Sequence, residues 1–392
     1  MGFHFDSRHI KEGDIFICLP GGAIYIDEAF KKGAIGVKKM TRAEMASFAD
    51  EHFEHPTQQL TVIGVTGTNG KTTVTRLIHE ALEHAGYKSI VIGTLTHPLT
   101  TPESWDLQKI AADHLKNGGT HLVMEVSSHG IAQDRVKDID FDCRVLTNIT
   151  QDHLDYHGSF EEYKKCKLSF MKGVPGTTIF PRDYDDIEIN FEHQLIGSFN
   201  EDNIRAAIAA LRSIGLSEPQ IETGLSQASP VPGRLEYINE SQPYIAVVDY
   251  AHTPHGLETV CGCLRDLADE RGGALRVLFG CGGDRDRGKR PKMAAAASIA
   301  DTVILTQDNP RTEKPQQIID DTLPGFTHER YEVIQDRADA IQALVDSAEL
   351  MDVILVAGKG HETGQIFADR TEPFDDREVL RNAIESRHGL LD

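Results

Sequence analysis

The chain has 392 residues, enough for two or three domains that each bury a core. Its formal net charge of −21 makes a nucleic-acid backbone or an anionic membrane an unsuitable general partner, and no apolar run approaches the ~18 residues a membrane span needs. The first residues carry no basic-then-apolar leader and the six cysteines form no CxxC pair, so a cytoplasmic protein with reduced thiols and no zinc site is expected.

Residues 1–59 read as a short first unit, with a strand over 14–19, a helix followed by a strand in 26–37, and a polar helix and linker over 47–59. From residue 60 onward strands alternate with helices. An apolar strand at 62–66 runs into a glycine-rich turn, and then Val74, Leu77, Ile78, Ala81 and Leu82 recur at helical spacing until Gly86 stops them. Strands follow at 90–94, 121–126 and 144–148, with helices at 107–117 and 203–215, and Ser229-Pro-Val-Pro-Gly233 has the composition of a hinge. A further α/β unit reaches the C-terminus, its strands at 245–250, 275–280, 302–307, 331–334 and 353–357 mostly continuous in hydrophobicity, as strands covered on both faces should be. The predicted fold is therefore α/β in three parts: a small first domain over 1–59, a central domain with a mostly parallel sheet over 60–228, and a doubly wound C-terminal domain over 229–392.

The turn after the first central strand is Gly67-Thr-Asn-Gly-Lys-Thr-Thr73, a phosphate-binding pattern. Gly67 and Gly70 let backbone N–H groups turn around a polyphosphate, Lys71 can bridge its terminal phosphates, and the Thr72 hydroxyl can ligate Mg²⁺. Val65 stands where the full pattern has a glycine, which marks a variant loop. Glu125-Val-Ser-Ser-His129 ends one neighbouring strand and Thr147-Asn-Ile-Thr-Gln-Asp-His-Leu-Asp-Tyr-His157 follows the next, and they offer a carboxylate and imidazoles to Mg²⁺ bound with ATP. In the last unit, Asp284-Arg-Asp-Arg-Gly-Lys-Arg-Pro-Lys292 is locally basic, which predicts an anionic ligand, and Asp308-Asn-Pro-Arg311 and Gly358-Lys-Gly-His-Glu362 follow two further strands. Polar groups at three strand ends of one sheet predict a pocket. A phosphate loop on one domain and an anion-collecting edge on another suit ATP-dependent ligation, in which a carboxylate takes the γ-phosphate and an amine then displaces phosphate from the acyl phosphate.

These motifs, with Phe199-Asn…Asn203, Pro232-Gly-Arg234 and Asp249-Tyr-Ala-His-Thr-Pro254, resemble the Mur ligases over nearly the whole chain and in the same order. The resemblance implies ATP-dependent addition of meso-2,6-diaminopimelate to UDP-N-acetylmuramoyl-L-alanyl-D-glutamate in peptidoglycan precursor synthesis, by a monomer acting on small molecules. It assigns Gly67, Thr68, Asn69, Gly70, Lys71, Thr72, Thr73, Asn203, Arg234 and Asp249 to ATP, and Lys71, Lys167 and His153 to catalysis. Metal ligation falls to Thr72, Glu125, His153 and Lys167, the last being the lysine 32 residues beyond Arg135 that the family carbamylates. Ser7, Thr100, Thr101, Ser127, Gln133 and Arg135 are expected on the UDP-muramoyl dipeptide, and Arg285, Asp308, Asn309, Pro310, Arg311, Gly358 and Glu362 on diaminopimelate. The sequence departs from the family pattern in an abbreviated loop after Gly21, in Leu99 before the paired threonines, and in the short separation of 33 positions from Lys167 to Asn200. These trims keep open a ligase of the same kind with a different, non-UDP carboxylate acceptor. A nucleotide-binding regulator is a further alternative, disfavoured by the presence of Lys71, Glu125, His153 and Lys167.

Overall fold

The computed structural model describes residues 2–173 and 175–389 and contains three main sheets. The first is small and parallel, in the order β1 (Phe3–His4), β2 (Ile15–Cys18), β3 (Gly36–Lys39). Three short strands cannot bury a sufficient core alone. The unit borrows one: Trp105, on the next unit's helix Ser104–Lys116, stacks on His52 at 5.0 Å and lies 5.0 Å from Phe53 and 5.8 Å from Phe48. Arg42 reaches across the same joint to Glu103 at 3.1 Å.

The second sheet is built from β4 (Thr61–Thr66), β5 (Ser89–Ile92), β6 (His121–Glu125), β7 (Cys143–Leu146) and β8 (Thr177–Ile179), all parallel in the order β5-β6-β4-β7-β8. Helices cover both faces, so β6 and β7 are buried along their whole length, including the polar His121, Glu125 and Arg144. Val74, Leu77, Ile78, Ala81 and Leu82 of the helix Lys71–His84 pack against Ala206, Ala207 and Leu211 of the helix Ser198–Ser213. The loop after β4 emerges between β6 and β7, where the connections part to opposite edges of the sheet, and such a switch point is where open α/β sheets bind ligands.

The third sheet takes β9 (Glu236–Ile238), β10 (Ile245–Asp249), β11 (Leu275–Cys281), β12 (Thr302–Gln307), β13 (Tyr331–Val333) and β14 (Val353–Ala357) in the order β13-β12-β11-β14-β10-β9, parallel except for β9. A two-stranded hairpin, β15 (Gly364–Ile366) and β16 (Thr371–Pro373), stands outside it. The loops after β11, β12 and β14 leave adjacent strands on one edge and so converge. Beneath them Arg337, fully buried, pairs with Asp376 at 2.7 Å and donates to the Ala357 carbonyl at 2.9 Å, fixing the end of β14. Among the described residues no helix is long and apolar enough to cross a membrane.

Candidate active site

The phosphate loop is shaped by the segment just after β7. Thr147 donates its hydroxyl to the Asn69 carbonyl at 2.6 Å, and the Asn148 side chain accepts from the Asn69 N–H at 3.0 Å. Gly67 has φ +148° and Gly70 φ +85°, and a Cβ would stand 1.9 Å from Thr147 Oγ1 at the first and 2.4 Å from Asn203 Oδ1 at the second. Only glycine fits such a cradle. Gly67→Ala is therefore expected to cost at least tenfold, roughly, in ADP affinity, since backbone strain and the clash together exceed about 1–3 kcal/mol. Calorimetric titration with ADP checks this.

The Lys71 ammonium donates to the carbonyls of Gly67 at 2.9 Å and Thr68 at 2.8 Å, and Lys167, 1% exposed, donates to the same Gly67 carbonyl at 2.8 Å. Burial, and then Lys71 beside it, push the Lys167 ammonium well below the ordinary lysine range. Thr72 and Thr73 are buried in the first helical turn, and the Arg234 guanidinium comes to 3.3 Å from Thr72 Oγ1 while lying 4.4 Å over the Tyr250 ring. These residues line a cavity of about 250 Å³ with Asn69, Gly70, Asn203 and Asp249. Asp249 accepts from the backbone of Leu235 at 2.8 Å and Ala251 at 2.7 Å, so its carboxylate fixes the strand end and the linker; burial raises its pKa against the pull of Arg234.

A second cavity of about 570 Å³ opens beside the first, between the central and C-terminal sheets. Thr100, Thr101, Ser127 and Arg135 line one side, and Arg285, Asp308, Asn309, Arg311, Gly358 and Glu362 the other. Between them Asp152 meets His153 at 3.4 Å, Lys289 at 3.7 Å and His252 at 3.9 Å. Burial opposes ionisation of Asp152, but Lys289, His153 and His252 together hold its carboxyl below the ordinary range. Burial and Lys289 bring His252 down to about 4, burial and Arg234 bring His361 to about 4, and burial lowers His153. At pH 7 the walls therefore present neutral imidazoles, able to accept a proton or a hydrogen bond, beside fixed charges.

Several residues singled out from sequence stand differently. Ser7 is buried, with its hydroxyl donating to Glu28 at 3.0 Å, and it does not line the large cavity. Gln133 instead braces the site: its side-chain oxygen accepts from Arg135 at 2.6 Å and its amide donates to Tyr156 at 3.2 Å. The Thr68 hydroxyl turns to Tyr163 at 2.9 Å. Pro310 does not line the large cavity; its carbonyl packs against Gly283, where a Cβ would lie 1.9 Å from it. Glu125, 1% exposed, accepts from the Thr94 N–H at 2.8 Å and from its hydroxyl at 3.2 Å. Three of the five cations in 284–292 meet carboxylates: Arg287 and Arg290 pair with Glu313 at 2.7 and 2.8 Å, Arg290 also with Asp321 at 2.7 Å, and Lys289 faces Asp152, while Lys292 donates to the uncharged Gln151 amide at 2.6 Å. Arg285, resting on the Asp284 carbonyl at 2.9 Å, keeps its charge for the cavity. Asp152 and Lys289 lie in segments the sequence marks as polar and basic but received no role of their own, and His252 was given none although it lies in the quoted Asp249-Tyr-Ala-His run.

A P-loop cradle facing a ligand edge across a cleft defines a class, and comparison places the chain in it: the Mur ligase middle domain matches residues 65–186 and the Mur ligase glutamate-ligase domain residues 233–360. The chain belongs to the Mur ligases, a family of ATP-dependent ligases. Within that family it is 36% identical to the UDP-N-acetylmuramoyl-L-alanyl-D-glutamate–2,6-diaminopimelate ligase of Geobacillus thermodenitrificans, over 99% of this chain and 95% of that one. A solved structure carrying the same enzyme name superposes with a TM-score of 0.61 at 30% identity, covering 99% of this chain and 95% of the other. The MurF ligase of Thermotoga maritima in complex with ADP shares the fold, with a TM-score of 0.69, 17% identity, and coverage of 100% and 98%. The alignment with the Geobacillus protein spans 468 positions against 392 residues here, so the shortening of this chain lies at internal gaps.

Proposed function

We propose that this protein joins meso-2,6-diaminopimelate to UDP-N-acetylmuramoyl-L-alanyl-D-glutamate at the expense of ATP, in peptidoglycan precursor synthesis. The observation that carries the reading is the juxtaposition, across one cavity, of Arg135 and the Thr100–Thr101 pair with Arg285, Arg311 and Glu362, next to the phosphate cradle. ATP lies with its phosphates along Gly67–Thr73 and its γ-phosphate toward the large cavity. The acceptor carboxylate, steered by Arg135, attacks that phosphorus, and ADP leaves. The amine of the incoming amino acid then attacks the acyl carbon, phosphate departs, and a neutral imidazole such as His252 is placed to take the proton. Lys71 and Arg234 neutralise charge on the transferring phosphoryl group, the effect that dominates such reactions.

Mg²⁺ fits as a companion of the polyphosphate. Among the described residues no group of three or more His, Cys, Asp or Glu side chains could hold a metal alone, so the Thr72 hydroxyl would bind the ion together with phosphate oxygens, with Glu125 and His153 around them. When bound, Mg²⁺ supplies charge neutralisation at the β- and γ-phosphates. Lys71 and Lys167 both donate to one carbonyl, and a half-buried and a buried ammonium on one oxygen repel. A carbamate on Lys167, formed when its neutral amine adds to CO₂ with loss of a proton, replaces one of those positive charges by a negative one facing Lys71. Lys167→Ala is expected to lower ligation by about 10²-fold or more, with partial recovery in excess bicarbonate plus a short-chain carboxylic acid. A variant of wild-type activity removes Lys167 from the chemistry.

A second reading, a ligase with a non-nucleotide acceptor, draws on Ser7 being held by Glu28 and on the internal shortening. Release of phosphate from ATP, measured with diaminopimelate plus either the UDP-linked dipeptide or a dipeptide lacking the nucleotide, separates the two. The proposal requires turnover with the UDP-linked acceptor; turnover confined to the other acceptor overturns it.

A further inference from the structure

The loop after β14 carries a lysine that sequence reading passed over. Lys359 lies between Gly358 (φ +117°) and Gly360 (φ +54°), whose left-handed conformations reverse the chain so that the lysine turns inward while Gly358, His361 and Glu362 face the cavity. It is 0% exposed. A buried ammonium persists only when its hydrogen bonds are met, and Lys359 has an acceptor for each of its three N–H groups: Asn309 Oδ1 at 3.0 Å, Glu362 Oε2 at 3.0 Å and the Gly364 carbonyl at 2.7 Å. These belong to the loop after β12, its own loop and the start of β15.

The consequences reach the cavity. Asn309 Oδ1 also accepts from the Ile366 N–H at 2.9 Å, so the orientation of the amide is set and its Nδ2 points at Glu362 Oε2, 2.8 Å away. One oxygen of Glu362 is thus gripped by two donors, and among the described residues no hydrogen bond engages the other, Oε1. Glu362 is half-buried on the cavity wall that also bears Arg311.

We propose that Lys359 is a positioning residue for the amino-acid substrate: it holds Glu362 with one carboxylate oxygen free to receive the ammonium at the distal end of that substrate. The proposal rests on the diaminopimelate reading above and deepens it. Three amino acids resolve it, because meso-diaminopimelate carries a distal ammonium and a distal carboxylate, L-lysine the amine alone, and 2-aminopimelate the carboxylate alone.

The test is steady-state kinetics of Lys359→Met, with ADP affinity and thermal unfolding as controls. The KM for meso-diaminopimelate is expected to rise roughly 10- to 100-fold, the range for lost hydrogen bonds to charged groups, with kcat and the KM for ATP close to wild type. The KM for 2-aminopimelate, which has no ammonium for Glu362, should stay near its wild-type value. A lysine that only stiffens the loop would raise both amino-acid KM values together, and that result, or no change in either, overturns the proposal. Glu362→Gln should reproduce the same selective loss, and Lys359→Met in that background should add little. If Lys359→Met does not fold, Lys359→Gln replaces it in the same comparison. A wild-type enzyme that turns over no diaminopimelate overturns the functional reading and this proposal with it, whereas normal turnover beside an unselective variant overturns only the role of Lys359.

Discussion

Replacing Lys71 by alanine is expected to reduce ligation by roughly 10²–10³-fold or more while leaving the fold intact, the size of effect seen when a preorganised donor to developing charge is removed. Lys71 opens the helix Lys71–His84, but the face that packs on the core is made by Val74, Leu77, Ile78, Ala81 and Leu82, so truncation at the first turn leaves those contacts in place. Its ammonium stands on the Gly67 and Thr68 carbonyls, at the rim of the cradle. Alanine helps the helix and removes the charge. Phosphate release with all three substrates should collapse, and the thermal midpoint should stay within a few degrees of wild type. Activity within a few-fold of wild type would contradict the assignment of this loop to the γ-phosphate.

The second large effect concerns the choice of amino acid. Arg311 adopts φ +52°, a conformation stabilised by its N–H donating to the Ile366 carbonyl of the hairpin at 3.0 Å. Its guanidinium donates to the Gly283 carbonyl at 2.8 Å and forms no ion pair among the described residues. Burial and the nearby Arg285 lower its pKa, as expected for a cation lacking an anion. meso-Diaminopimelate differs from lysine by one distal carboxylate, which an arginine can meet with two parallel hydrogen bonds. Lysine in the same place leaves the guanidinium unmatched. Losing such a pair costs on the order of 2–5 kcal/mol, a preference of tens to thousands of fold. Comparison of kcat/KM for the two amino acids should show that preference in the wild type and its near disappearance in Arg311→Ala. A wild type that prefers lysine, or an unchanged ratio in the variant, contradicts the role of Arg311.

How much of the molecule was legible in the sequence depends on which interactions are local. The glycine-rich turn after β4 was legible because its glycines act through the backbone within a few residues, and β10, β11, β12 and β14 were legible because burial on two faces leaves a nearly continuous apolar run. β8, β9 and the β15–β16 hairpin escaped notice: each strand has three residues, and Thr371-Glu-Pro373 is wholly exposed, so no hydrophobic period marks it. Long-range pairing was the other blind spot. The positive charge of 284–292 suggested an open anion site, yet Glu313 and Asp321, a score or more residues away, neutralise part of it. Nothing in the sequence signalled that the Glu125 carboxylate is held by Thr94, on the loop after the neighbouring strand. Lys359 was visible in the Gly-Lys-Gly-His-Glu run, where two flanking glycines mark a tight turn but not the direction of the side chain between them.

The proposed reaction joins a UDP-linked muramoyl dipeptide and meso-diaminopimelate into one amide-linked product. Mass spectrometry of a reaction holding the enzyme, ATP, Mg²⁺, UDP-N-acetylmuramoyl-L-alanyl-D-glutamate and meso-diaminopimelate tests it most directly. The expected product has the mass of the acceptor plus one diaminopimelate less one water, formed with one ADP and one phosphate and absent when any component is omitted. An unchanged acceptor, with the same enzyme forming an amide on a carboxylate that bears no nucleotide, would contradict the account.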